Sequence, residues 1–158
     1  MPRIEFAHLR ELKDRVGQEI AVSDWLEMTQ ERVNLFAQAT GDHQWIHVDP
    51  ARAQRESPFG AAIAHGFLTL SLLSKFLGDS IAFASARMGV NYGLNRVRFT
   101  APVPVGARVR ARLRLRQLED IDPQGQTHGV QMTWDVTLER EGSDKPCLVA
   151  EWLTRRYE

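Results

Sequence analysis

From about residue 88 the chain alternates. Arg108, Arg110, Arg112, Arg114 and Arg116 take every second position, with Val109, Ala111, Leu113 and Leu115 between them. A period of two sends successive side chains to opposite faces, so the segment is a strand with one wet and one apolar face. Val130, Met132, Trp134, Val136 and Leu138 repeat the pattern among polar neighbours. Asp122-Pro123-Gln124-Gly125 and Glu141-Gly142-Ser143-Asp144 predict turns. Residues 147–157 supply a last strand and residues 89–100 an earlier one, joined mainly by tight turns into an antiparallel meander.

Upstream the period is helical. Val33, Phe36, Ala37 and Thr40 predict an amphipathic helix over 30–39, with Thr29 as its N-cap. Residues 62–77 are apolar on nearly every side, and Gly78 sits where a C-terminal cap belongs. Such a helix is buried within its own domain. Residues 18–27 read as a short strand or extended arm. Between the two helices, residues 40–61 form an irregular stretch punctuated by Gly41, Pro50, Pro58 and Gly60. Long loops of this kind are usually functional. Trp45, Ile46, Val48 and Phe59 give this one the means to pack down. The economical arrangement is α+β, a sheet wrapped around the apolar helix in one domain over residues 1–158.

The chain has 158 residues, enough for one sizeable core, and 43% apolar and 25% charged residues, an ordinary globular balance. Net charge is zero, which gives no pull toward nucleic acid or a membrane surface and leaves nothing to repel a second copy. Cys147 is the single cysteine, which excludes an intrachain disulfide and fits a reducing, cytoplasmic setting. The N-terminus lacks the apolar core of a secretion signal, and no apolar run reaches membrane-spanning length.

Chemistry concentrates in Ala39-Thr40-Gly41-Asp42-His43-Gln44-Trp45-Ile46-His47-Val48-Asp49-Pro50. A carboxylate and an imidazole on one short loop, Asp42 and His47, can hold a water between them. Taken alone, Asp42 is a loop-capping aspartate and His47 a satisfied structural histidine; their pairing carries the signal. Further on, Ala64-His65-Gly66-Phe67 opens the apolar segment, where backbone N–H groups can stabilise a negative oxygen. A water activator and an oxyanion site are the minimum equipment for hydrating an activated double bond. His65 reads as a cap or loop support and His43 as a neighbour, while His8 and His128 carry no signal. Asp42, His43, His47 and Asp49 can be assembled into a metal set on paper, but their spacing does not demand one, and no metal is expected.

These motifs resemble those of the MaoC-like dehydratases, the (R)-specific enoyl-CoA hydratases, in particular a nodulation-protein-N-like subgroup. The likeness includes Gly41–Pro50, Ile63-Ala64-His65-Gly66-Phe67, Asn91–Phe99 and Ala101-Pro102-Val103-Pro104-Val105-Gly106. It implies a hot-dog fold, a curved antiparallel sheet around a central helix. It also implies reversible hydration of trans-2-enoyl thioesters to (3R)-3-hydroxyacyl thioesters. The implied substrate is carried on coenzyme A or acyl carrier protein, with no other cofactor, in a homodimer. Asp42 and His47 match the catalytic pair, and Gly66 the residue whose N–H meets the thioester oxygen. Ser74 matches a serine that some members place near the pair. Gln44-Trp45 departs from the family's Asn-Pro; Gln44 still makes hydrogen bonds, and Trp45 can reshape the acyl pocket. The arginines 108–116 read as a solvated face, with coenzyme A phosphates as the functional alternative. Trp25, Trp134 and Trp152 read as core or dimer packing. A hot-dog acyl-CoA thioesterase and a non-catalytic acyl-thioester binding subunit are the competing functions.

Overall fold

The structure, a computed structural model, describes residues 2–121 and 128–158. The turn expected at Asp122-Pro123-Gln124-Gly125 lies outside the described residues. In chain order the elements are β1 (Ile4–Phe6), a 3-10 helix (Leu9–Arg15), β2 (Glu19–Val22), β3 (Leu26–Glu27), α1 (Gln30–Thr40), α2 (Trp45–Val48), α3 (Pro50–Glu56), α4 (Gly66–Ser71), α5 (Leu73–Ser80), β4 (Ile81–Phe83), β5 (Met88–Arg98), β6 (Arg108–Ile121), β7 (Gly129–Arg140) and β8 (Leu148–Tyr157).

Alternation builds the sheet as expected. Val109, Ala111, Leu113 and Leu115 of β6 are fully buried, and Val130, Met132, Trp134 and Leu138 of β7 join them in the core. Trp134 is accommodated because its Nε1–H donates to Thr154 Oγ1 at 3.0 Å. The arginines of β6 form an ion-pair ladder on the outer face. Arg108 meets Glu141, Arg110 meets Glu139, Arg112 meets Glu19, and Arg114 and Arg116 share Asp135. A bulge between Leu115 and Gln117 ends the strict alternation.

The meander needs one correction. β6, β7 and β8 are successive antiparallel neighbours, but β5 pairs with β8, so the sheet runs β2-β6-β7-β8-β5, with β3 also on β6. Pro102 and Pro104 explain this, since a residue without an N–H cannot sustain a hairpin ladder. The segment carrying them bonds instead to the chain before α4: Ala64 N–H donates to Val103 O at 2.8 Å, and Val105 N–H to Ala62 O at 2.8 Å.

The helices also differ from expectation. α1 lies where predicted, with Thr29 Oγ1 accepting from Arg32 N at 3.2 Å and Gly41 closing it at φ +80°. The stretch 40–61 is not wholly irregular: α2 and α3 occupy part of it. Asp49 accepts from Arg52 N at 3.0 Å and Pro50 takes the first helical position, so the Asp-Pro pair is a helix start. The apolar helix begins at Gly66, not residue 62, breaks at Leu72 and ends at Ser80, so Gly78 is interior rather than a cap. Nor is it buried all round: Leu68, Leu73, Phe76 and Leu77 face the core, while Phe67 is 68% exposed. β1, β4 and the 3-10 helix had no sequence expectation; β1 and β4 form a separate parallel pair. Among the described residues, no helix is long and apolar enough to cross a membrane.

Candidate active site

The site forms where the end of α1, the short helix α2 and the head of α4 meet. Gly41 turns the chain out of α1 and delivers Asp42. The Asp42 carboxylate accepts from Gln44 N–H at 3.3 Å, a local turn that leads into α2. One turn into α2 comes His47, its ring only 7% exposed. His47 Nδ1 lies 2.7 Å from the Ile63 carbonyl. A carbonyl only accepts, so Nδ1 carries the hydrogen and Nε2 keeps a lone pair. The segment holding Ile63 is itself fixed, because Ile63 N–H donates to Ile46 O at 3.0 Å. The Gln30 amide donates to His47 O at 2.8 Å and closes the other side.

Burial pushes the His47 pKa below its usual 6.5. The Ile63 hydrogen bond and Asp42 oppose that shift and His65 adds to it. His47 is therefore a neutral base at neutral pH.

His65 immediately precedes α4 and is 2% exposed. Its Nε2 lies 2.9 Å from the Asp42 carbonyl, and its ring stacks on His47 with centroids 3.9 Å apart and planes 25° apart. Phe36 of α1 packs against it at 4.9 Å. Nδ1 of His65 has no hydrogen-bond partner among the described residues.

Gly66 opens α4, at a position where the backbone N–H has no acceptor within the helix. A Cβ there would meet the Phe99 ring at 3.1 Å, so a larger residue would require that ring to give by a few tenths of an ångström. Beside it lies an apolar cleft lined by Phe59, Ile63, Ala64, Phe99, Val103 and Cys147.

Asp42, His47 and His65 each offer a donor atom, all within 4.8 Å of one another. Groups sharing one water through ~2.8 Å hydrogen bonds stand about 4.5 Å apart, so this spacing suits a shared water. Of the metal set assembled on paper, Asp42 and His47 come together, and His65 joins them as a third group able to ligate a metal ion; the Asp49 carboxylate instead caps α3, and His43 faces a separate groove with Gln38 and Val48.

The side chains of the remaining candidates make other contacts. Ser74, on α5, accepts from Asn91 of β5 at 3.1 Å. Gln44 is the exposed residue before α2 and makes no side-chain cap. Trp45 is half-buried, with the Arg52 guanidinium 4.3 Å above its ring, which joins α2 to α3. Trp25 lies under Arg110 at 4.4 Å. His128 binds Glu158 and Asp120, and His8 precedes the 3-10 helix. Sequence reasoning missed the Ile63 carbonyl, Gln30 and the Phe99 ring. No residue type signals a backbone carbonyl, and nothing in the local pattern marks Gln30 or the Phe99 ring.

Residues 11–137 match the profile of the MaoC like domain. The chain is similar to 3-hydroxyacyl-thioester dehydratase Z of Mycobacterium tuberculosis, at 50% identity over 150 residues that cover 95% of this chain and 96% of the relative. It is also similar to Nodulation protein N of Rhizobium meliloti, at 48% identity over 147 residues, covering 92% and 88%. Among solved structures it resembles the unliganded R-hydratase PhaJ1 from Pseudomonas aeruginosa with a TM-score of 0.65 at 24% identity, covering 90% and 85%. The architecture is that of the hot-dog proteins, an antiparallel sheet around a central helix.

Proposed function

This chain belongs to the MaoC-like family and is a hydro-lyase that interconverts enoyl and 3-hydroxyacyl thioesters, and we propose that Asp42, His47 and Gly66 carry the reaction. The observation that carries this reading is the 2.7 Å contact of His47 Nδ1 with the Ile63 carbonyl, which leaves the Nε2 lone pair free in a residue clustered with Asp42.

In the hydration direction, the Asp42 carboxylate and His47 Nε2 hold one water. His47 takes a proton from it as the oxygen bonds to C3. The imidazolium then delivers that proton to C2, so the elements of water are added in full. Asp42 orients the water and offsets the transient charge on His47. Negative charge builds on the thioester oxygen as an enolate, and the Gly66 N–H meets it. In other enzymes such a donor is worth about 3–4 kcal/mol. Hydration is redox-neutral overall, so the chemistry calls for no redox cofactor, and proton transfer needs no metal. Dialysis against a chelator should leave turnover unchanged.

The substrate we propose is a trans-2-enoyl thioester of coenzyme A or acyl carrier protein, with its acyl chain in the cleft beside Gly66, giving the (3R) product. We further propose a cytoplasmic, single-domain protein that forms a homodimer. β5 is an edge of the sheet, and Met88, Val90, Tyr92 and Leu94 along it are exposed, as are Phe67 and Phe99. A long apolar edge is a liability unless a second copy covers it. Light scattering that finds only monomers at full activity contradicts the dimer.

The test of function is hydration of a chain-length series of enoyl-CoA esters by the purified protein, followed by the loss of enoyl absorbance. Products are assigned with a (3R)-specific dehydrogenase. Asp42→Asn and His47→Ala should each lose about 10²–10⁴-fold in activity while remaining folded. The double variant should lose little more than either single one, because both groups act on one water. Near-normal turnover in either single variant removes the assignment.

A further inference from the structure

We infer that His65 is a positioning residue of the reaction: its imidazole ties the Asp42 backbone and the His47 ring to the head of α4, so the water-activating pair and the Gly66 N–H keep one common geometry. The inference rests on the roles proposed above for Asp42, His47 and Gly66.

Those three groups come from separate segments. Asp42 follows α1, His47 lies in α2, and Gly66 begins α4. None of these segments holds the other two in place by length or regularity, since α2 has four residues and α4 has six. His65 touches all three. Its Nε2–H donates to the Asp42 carbonyl at 2.9 Å. Its ring lies face to face with His47 at 3.9 Å. Its own carbonyl accepts from Leu68 N–H at 3.1 Å and Thr69 N–H at 3.2 Å, so its backbone is the first turn of the helix that Gly66 opens.

A space-filling role would not need an imidazole. Phe36 packs on the same ring, a contact that a ring of carbon alone would also make. The chain instead buries a polar ring at 2% exposure and leaves Nδ1 without a partner among the described residues. An unpaired buried nitrogen is a cost. The return on that cost is the hydrogen bond on the opposite nitrogen, which holds the Asp42 main chain. That bond takes up the Nε2 hydrogen, and the stacked ring turns its face toward His47.

The test compares His65→Leu with His65→Gln in the full-length protein, using an enoyl-CoA that the wild type hydrates. Leucine fills space but donates nothing. Glutamine can place an amide N–H near the position of Nε2. His65→Leu should lower kcat roughly 100-fold, the scale of a misplaced catalytic group, with KM changed less than about 3-fold. His65→Gln should recover most of that loss. In an Asp42→Asn background, His65→Leu should cost far less than it does alone, because a positioning residue acts only through the group it positions. Should His65→Leu fail to fold, His65→Asn replaces it, since its shorter amide does not reach the Asp42 carbonyl. Unchanged kcat, equal loss in the glutamine and leucine variants, or an undiminished loss in the Asp42→Asn background overturns the inference. Full turnover in Asp42→Asn and His47→Ala removes the underlying reading instead. An inactive pair alongside a fully active His65→Leu removes the inference alone.

Discussion

Replacing Gly66 with alanine separates the oxyanion role proposed for its N–H from the stability of the fold. The added methyl meets three atoms of the Phe99 ring, each at 3.1 Å, a few tenths of an ångström inside ordinary contact. Phe99 is 47% exposed and packs edge-on against the exposed Phe67, so the ring can yield toward solvent. Overpacking costs about 1–3 kcal/mol, and a ring free to move places the site at the low end. At the first helical position alanine gains less over glycine than the roughly 1 kcal/mol of a helix interior. The two contributions partly cancel, and global stability should change by no more than about 1 kcal/mol, or roughly 2–4 °C in Tm. Activity has no such compensation. The methyl is added within the cleft proposed for the acyl thioester, which Gly66 and Phe99 both line; if it keeps the oxygen from the proposed Gly66 N–H contact, the cost is that of one oxyanion donor, about 10²–10³-fold in kcat. Urea unfolding followed by tryptophan fluorescence gives the first quantity, and steady-state hydration of an enoyl-CoA gives the second. Phe99→Ala in the Gly66→Ala background should restore part of the rate by clearing the contact. A Gly66→Ala protein with kcat within about 2-fold of wild type would refute the assignment of this N–H.

Because the His47 pKa lies below 6.5, the acid limb of kcat/KM should fall below that pH. The unfolded chain binds the proton first, so the stability contributed by neutral His47 is complete above about pH 6.5 and is lost as pH falls toward the folded value. His47→Gln should flatten that part of the stability profile, and an unchanged profile contradicts the placement. Trp45→Ala should lower activity about 10-fold on every chain length alike, because the ring anchors α2 to α3 beneath Arg52. A profile that shifts to longer chains while the best substrate survives assigns the ring to the acyl tunnel instead. Burial pushes the Cys147 thiol up to about 11, so it should resist a thiol-specific reagent at pH 8 in the native protein and react once unfolded. Rapid native labelling contradicts this.

Local chemistry was legible wherever it depended on neighbours in sequence. Val109 to Leu115 and Val130 to Leu138 alternate, and a period of two needs nothing beyond the strand itself. Thr29 and Gly41 cap α1 because a side-chain oxygen and a left-handed φ are properties of single residues. Asp42 and His47 were legible as a pair because a short span of chain keeps them together. The Asp49-Pro50 helix start was legible too, but two prolines and two glycines over residues 40–61 drew the reading toward a loop.

What only the tertiary structure decided are contacts between distant parts of the chain. Alternation is the same for any neighbour, so the sequence did not determine that β5 lies beside β8 rather than β6. Apolarity around residues 62–77 did not say which face stays open at Phe67, since a subunit contact and a core are built from the same residue types. Ser74 matched by position, yet it bonds to Asn91 rather than to the pair. The tautomer of His47 hangs on the carbonyl of Ile63, 16 residues away, and a backbone carbonyl is identical at every position until the fold aims it.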